Sequence, residues 1–409
     1  MALKKGMDKY MNKKRMVAGA VLLVFVSSIM TFYLTRLVPL AYGGSVIVPR
    51  EEYNLIKQYS KLFQVENILT NDYVDKIDQS KLVDGSIKGL ASSLGDPYTV
   101  YMDKKDYQDF TTQTTGSYAG VGIVVSVDKD GHIVVVSPMK GTPGEKAGIK
   151  SGDIIVSVDN VKVNGNNLDK AVSLMKGPQG TKVSLVLMRD NKLITKTLTR
   201  EIIKLQTVSS TMLPGNIGYI KMTMFDENTS ADFTKALDSL KSQGLKGLII
   251  DLRDNPGGIL EQCVNIANEL LPKGLIVSTK GRQSKDNQVI YAKGPGLQKP
   301  IAVLVNGGSA SASEILSGAI KDRKVGVLVG TKTFGKGLVQ SVIDFGDGTA
   351  LKYTSARYYT PSGVNIQGKG IEPNYVVELP KNYVVTDTPD LKGDTQLIKA
   401  YDIVKSEIK

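Results

Sequence analysis

From about Thr207 to Val377, short apolar runs alternate with stretches of helical periodicity, and this alternation constrains the fold more than any other feature of the 409 residues. Ile217-Gly218-Tyr219-Ile220, Gly247–Asp251 and Ile301–Val305 read as strands. Ser230–Gln243, Gly258–Leu271 and Ala312–Lys321 read as the helices between them. Strand followed by helix, repeated, predicts an α/β layer around a largely parallel sheet. After Val325–Val329 the order changes: Leu338 to Ile343 alternates apolar and polar before Gly346-Asp347-Gly348-Thr349, a hairpin signal.

The chain upstream has a different texture. Residues 1–15 hold +5 of the formal net charge of +12, and Met16 to Thr35 carry no charge, with Arg36 closing the run. Twenty helical residues span roughly the 30 Å of a bilayer core, so residues 16–36 are expected to be a transmembrane anchor. The positive-inside rule then leaves residues 1–15 in the cytoplasm and sends the rest, as a single-pass protein of the cytoplasmic membrane, to the outer side. A cleaved signal peptide is the alternative, but the run exceeds the usual 7–15 apolar residues and no A-x-A site follows it. Because the basic excess is concentrated before this run, the charge does not argue for nucleic acid. Residues 50–112 read as helical, with Leu55, Tyr59, Leu62, Phe63, Val65 and Ile68 near helical spacing, a stripe suited to core or subunit contact, and a homodimer is expected.

From Gly116 to about Arg200 short strands and glycine turns take over. Gly120-Val121-Gly122-Ile123, then Ala147-Gly148-Ile149-Lys150-Ser151-Gly152-Asp153, then a helix over Leu168–Lys176, resemble a PDZ domain. The resemblance implies that Gly120, Val121, Gly122 and Ile123 present N–H groups to a peptide's terminal carboxylate, that the peptide adds as a strand, and that Val172 and Met175 wall a pocket for its last, apolar side chain. A β module without a ligand is the bland alternative. His132, the chain's one histidine, falls on a hairpin here, where a structural role is expected.

The remaining chemistry centres on Ser309-Ala310-Ser311-Ala312-Ser313-Glu314 and, after a further strand, Phe334-Gly335-Lys336-Gly337. Imidazole normally takes the serine proton, but the single histidine lies in another segment. A lysine made neutral by burial can take that place, so Ser311 is read as nucleophile and Lys336 as base. Ser309 and Ser313 remain rivals, with helix capping as their alternative role. At the start of the helix the Ala312 N–H is an oxyanion donor, and the Asn255-Pro256-Gly257-Gly258 turn supplies a second from Gly257 or Gly258. Gly330 to Lys336 nearly spells a P-loop, but Gly337 stands where Ser or Thr must hold magnesium and a strand is expected in place of a helix, which argues against a P-loop ATPase, a rival class that would require nucleotide binding at Gly330–Lys336. One Cys and one His exclude a Cys/His zinc site, and no carboxylate loop has metal spacing, so no metal or cofactor is expected.

Leu94-Gly95-Asp96-Pro97-Tyr98-Thr99, Asp251-Leu252-Arg253-Asp254-Asn255-Pro256-Gly257-Gly258, the Ser309–Glu314 run, Gly330 to Gln340 and Tyr359-Thr360-Pro361-Ser362-Gly363 resemble the carboxy-terminal processing, or tail-specific, proteases over nearly the whole chain beyond the anchor. That resemblance implies a crotonase-like α/β core with an inserted PDZ domain, Ser311 and Lys336 as catalytic pair, Gln340 orienting the lysine, an oxyanion hole from Gly257 or Gly258 with Ala312, and PDZ control of access by protein substrates with apolar C-terminal tails. A membrane-tethered peptide-binding scaffold without catalysis is the rival reading. The expected organisation is a basic segment (1–15), an anchor (16–36), a helical region (50–112), a PDZ domain (113–202), a protease core (203–380) and a C-terminal helical segment (381–409).

Overall fold

The computed structural model describes residues 16–32, 41–42, 45–46 and 48–408, which fall into two compact units divided after Ser86. In the first unit residues 16–32 are helical, followed by helices α1 (Arg50–Gln58) and α2 (Ser60–Asp72) and the start of α3 (Gln79–Ser92). The basic segment 1–15 and residues 33–36 of the expected anchor lie outside the described residues. Among the described residues no helix is long and apolar enough to cross a membrane, so the anchor expected over 16–36 is not met as a spanning helix.

The second unit opens with a correction to the helical region. The Gly95-Asp96-Pro97 turn ends it early, and a strand, β1 (Val100–Met102), precedes the last helix, α4 (Lys104–Thr115). Helix α4 begins where the Asp103 side chain accepts from the N–H groups of Lys105 and Asp106, and stops at Gly116, whose φ of 62° only glycine adopts freely.

The chain then enters a β module. A ribbon of β2 (Ser117–Gly120) against the returning β8 (Glu201–Lys204) joins it to the rest. Its sheet runs β7-β6-β5-β4-β3, formed by β3 (Ile123–Val127), β4 (Ile133–Pro138), β5 (Ile154–Val158), β6 (Lys182–Arg189) and β7 (Lys192–Thr199). Helix α5 (Leu168–Met175) closes its core, in which Ile133, Leu185 and Leu187 are fully buried.

Beyond it lies the predicted α/β layer. A six-stranded sheet in order β9-β10-β11-β14-β15-β18 comprises β9 (Val208–Leu213), β10 (Ile217–Met222), β11 (Gly247–Asp251), β14 (Ile301–Val305), β15 (Val327–Gly330) and β18 (Tyr375–Val376). All neighbours are parallel except β9 against β10. β11 and β14 are buried at every position, which is why β14 reads as an unbroken apolar run and β11 as one up to Asp251. Helices α6 (Thr229–Ser242), α7 (Leu260–Leu270) and α8 (Ala312–Asp322) share one apolar core, and α9 (Thr395–Glu407) packs Leu397, Ala400 and Val404 into another. The C-terminal segment is thus helical only from Thr395.

A second, antiparallel sheet runs β13 (Gln288–Pro295), β12 (Pro272–Gly281), β17 (Ala350–Tyr359) and β16 (Leu338–Asp344), in that order, with β1 added on β17; the sequence showed its β16–β17 hairpin around the Gly346–Thr349 turn but gave no sign of the rest. β12 and β13 are half exposed, carry Lys, Thr and Gln, and pair with register shifts, so no clean alternation survives in their residues.

Candidate active site

Ser311 stands at the N-cap of α8 with φ 53° and ψ −113°, a conformation that costs a non-glycine residue free energy and persists only where the surroundings impose it. The two neighbouring serines are tied off. Ser309 Oγ donates to Leu252 O (2.8 Å) and accepts from Asn306 N (3.0 Å), Ser313 Oγ donates to Asn255 O (2.9 Å), and both residues are fully buried. Ser311 alone of the three is partly exposed.

What holds Ser311 is Glu314, the last residue of the Ser309–Glu314 run, to which the sequence assigned no catalytic role. Its buried carboxylate receives four donors: Ser311 N (3.0 Å) and Lys336 N (2.8 Å) on Oε2, Thr333 Oγ1 (2.5 Å) and Gly335 N (2.8 Å) on Oε1. Burial pushes its pKa up, and the four donors oppose that shift. Four donors match the acceptor capacity of an ionised carboxylate, and a protonated one would turn its own hydrogen against one of them; we therefore assign the ionised form. One side chain thus fixes the backbone of both the nucleophile and the lysine.

Lys336 leaves the loop before β16. Its Nζ lies 4.5 Å from the centroid of the Tyr98 ring and makes no hydrogen bond to Ser311 Oγ; catalytic hydrogen bonds commonly tighten only with substrate. Burial first, then the nearby ammonium of Lys352, hold its pKa below the ordinary lysine value, against the pull of Asp96 and Glu314. Tyr98 is carried by a turn that Asp96 organises. Asp96 accepts from Tyr98 N (3.0 Å), Thr99 Oγ1 (2.6 Å) and, across the sheet, Thr354 Oγ1 (2.6 Å). Gln340 is paired with Thr354 just past a bulge at Ser355 in β17, where the register between the two strands shifts. Its Nε2 is buried without a hydrogen-bond partner among the described residues. Lys336 thus lies over Tyr98 of the Asp96–Thr99 turn, and Gln340 is the cross-strand partner of Thr354, whose hydroxyl holds Asp96. Tyr98 and Lys352 carried no catalytic signal in the sequence; the Gly-Asp-Pro-Tyr-Thr motif was the one hint.

The Asn255–Gly258 turn packs directly on Ser311. A Cβ at Gly257 would come within 2.9 Å of both Ser311 Cβ and Ala312 N, and one at Gly258 would clash with Phe225 O, so both positions demand glycine. Gly257 N donates to Asn255 Oδ1 (2.9 Å) and is not free. Among the described residues the N–H groups of Gly258 and Ala312 have no partner. Behind the turn, fully buried Asp251 accepts from Tyr219 Oη (2.7 Å) and pairs with Arg253 (2.6 Å), whose other edge meets Asp394 at 2.8 Å.

In the β module the Gly120–Ile123 loop enters β3, which is an edge strand. The carbonyls of Val121 and Gly122 are used by Gly144 N and Met139 N, while the N–H groups of Val121 and Gly122 make no hydrogen bond among the described residues. Val172 is partly exposed, but Met175 is sealed in the module's core. His132 sits in the β3–β4 turn, bonded to Asp128 (3.2 Å). The loop over 330–336 runs into strand β16, with no helix to face a phosphate.

Residues 216–377 match peptidase family S41, residues 134–189 a PDZ domain, and residues 46–106 the N-terminal domain of the activating protease CtpB. Over 401 residues the chain is 38% identical to a carboxy-terminal-processing protease of Bartonella bacilliformis, covering 88% of this chain and 92% of that one. The carboxy-terminal processing protease CtpA of Bacillus subtilis is 39% identical over 376 residues, covering 90% and 79%. A solved Bacteroides fragilis structure described as an S41 protease shares the fold at 17% identity, with a TM-score of 0.51 over 84% of this chain and 97% of that one.

Proposed function

Since this chain belongs to the carboxy-terminal processing proteases of peptidase family S41 and is a serine protease carrying a PDZ domain, we propose that Ser311 is its nucleophile and Lys336 its general base. Lys336 Nζ takes the hydroxyl proton as Ser311 Oγ bonds to the scissile carbonyl carbon. The carbonyl electrons move to the oxygen, which the N–H groups of Gly258 and Ala312 receive. Collapse breaks the C–N bond, and the proton held by Lys336 passes to the leaving amine. Water, activated by the same amine, then releases the acyl group. Gln340 orients the lysine.

The observation that carries this reading is the Glu314 carboxylate bonded to the N–H groups of both Ser311 and Lys336 while both neighbouring hydroxyls are occupied. Incubation with an unfolded protein ending in an apolar residue tests it. Ser311→Ala and Lys336→Ala should each abolish cleavage without altering the melting temperature, whereas Ser309→Ala and Ser313→Ala should lower stability and keep measurable turnover. Cleavage by Ser311→Ala would reject the assignment.

Substrates are captured by their C-termini at the Gly120–Ile123 loop, with the tail adding to the free edge of β3, a mode supported by the two unengaged N–H groups there. Val172 is the remaining candidate for the pocket wall, and movement of this domain governs access to Ser311. Residues 16–36 anchor the protein in the cytoplasmic membrane with the protease outside, a reading supported by the charge-free run behind a basic segment; release by alkaline carbonate would refute it. Helices α1 and α2 bury no residue of their own, leaving Leu55, Leu62 and Phe63 exposed, which favours a homodimer through this region. An unchanged mass in light scattering after Leu62→Lys with Phe63→Lys would refute that contact.

A further inference from the structure

A cavity of about 570 Å³ opens between β1, α4, the end of α3 and the start of β17, lined at one edge by Thr99 of the turn that carries Tyr98. It holds four charged side chains, Lys88, Asp106, Asp109 and Lys352. Three of them have counter-ions: Lys88 pairs with Asp103 (2.7 Å) and Asp106 (3.2 Å), and Asp109 faces Lys176 (3.9 Å). Lys352 has none. Among the described residues its Nζ makes no hydrogen bond and meets no carboxylate at ion-pair distance; it lies over the Phe110 ring, 5.3 Å from the centroid. A half-buried ammonium without a partner is costly and calls for a reason.

Its position supplies one. Lys352 is paired with Val100 across β17 and β1, two residues from the Tyr98 ring beneath Lys336. Thr354, two residues along the same face of β17, holds Asp96. The strand that organises the turn under Lys336 therefore also carries the unpaired cation.

We propose that Lys352 is the electrostatic partner of the catalytic lysine, a positioning residue whose uncompensated charge favours the neutral amine of Lys336 that can accept the Ser311 proton. This rests on Lys336 as base. The charged groups facing Lys336 are Asp96 from the turn before β1, Glu314 from α8 and Lys352 from β17, and of these Lys352 acts most strongly, opposite in sign to the two carboxylates. Burial lowers Lys352 as well, and because the two ammonium groups repel each other, a charged Lys352 favours the neutral form of Lys336. Neighbouring cations activate amine nucleophiles and bases in the same way.

The test compares Lys352→Met, Lys352→Gln and Lys352→Arg in the full chain, using a short fluorogenic peptide that needs no tail recognition. kcat/KM is followed against pH, and the pH dependence of Lys336 acetylation is followed by competitive labelling and mass spectrometry. Met and Gln should move the rising limb of both profiles to higher pH, with several-fold less activity at neutral pH and recovery to the unmodified rate at alkaline pH, while Arg keeps both profiles in place. Unmoved profiles in Met and Gln, or a change in KM alone, would overturn the proposal and leave Lys352 as a substrate contact. If one neutral variant fails to fold, the other carries the comparison. Activity retained by Lys336→Ala would instead overturn the underlying choice of base.

Discussion

Ser311 and Lys336 are set in place through backbone atoms, and a single carboxylate does most of it. Glu314 accepts on both oxygens from segments that lie more than twenty residues apart in sequence. In Glu314→Gln one of those oxygens becomes an NH2 group that confronts two N–H donors or, flipped, a hydroxyl and an N–H. A buried donor left without an acceptor costs about 1–3 kcal/mol. Glu314→Gln should therefore lower the free energy of unfolding in urea by about that amount and cut kcat far more than KM, because the nucleophile and the base both shift while the substrate's binding surfaces do not. A variant with kcat intact would show that the four bonds are merely structural.

At the scale of elements, the strand–turn–helix joints decide the site. β11 ends in Asp251-Leu252-Arg253, and the chain turns through Gly257-Gly258 onto α7, so the oxyanion donor hangs from a joint braced by the Arg253 guanidinium. Asp394, the N-cap of α9, is the other carboxylate on that guanidinium. Removing one member of a buried ion pair costs about 3–5 kcal/mol because the others are left uncompensated. Arg253→Met should show a loss of that order by chemical denaturation, together with faster proteolytic clipping near residue 394 as α9 loses its cap contact. Unchanged clipping would mean that α9 is held by Leu397, Ala400 and Val404 alone. The same joint logic explains the false P-loop: a glycine-lysine loop ahead of a strand offers no helix terminus to phosphate.

For the whole molecule, the chemistry of the base and the reading of the tail give separable predictions. With Lys336 as the proposed base, its neutral amine is the active form, so kcat/KM should climb as pH passes its pKa, and burial places that climb below the ordinary lysine range. His132 lies in the PDZ turn, bonded to Asp128; His132→Ala should leave the climb where it is, and a profile that vanished with the histidine would exclude a Ser-Lys mechanism. Tail reading is tested with a long substrate in free-acid and amidated forms. Amidation removes the charge that the Val121 and Gly122 N–H groups would receive, so the amide should be cut several-fold more slowly, while a short peptide should be cut equally well in both forms. Equal rates for the long pair would show that the PDZ domain does not read C-termini here.

Sequence alone determined what depends on local order and composition. Strand–helix alternation determined the α/β layer, since β14 is apolar throughout and β11 is apolar up to Asp251, for the simple reason that both of their faces are covered. Scarcity of histidine and the spacing of two motifs pointed to the proposed serine–lysine pair, and glycine clusters determined the tight turns. Tertiary structure decided what depends on distant segments meeting. Ser309 and Ser313 were rivals until the carbonyls of Leu252 and Asn255 were seen to accept their hydroxyls. Gly257 and Gly258 were equivalent as donors until the Asn255 side chain was found on the first of them. Tyr98, Glu314 and Lys352 come from three separate elements, and their shared effect on Lys336 is a matter of distance and burial, which no periodicity along the chain encodes.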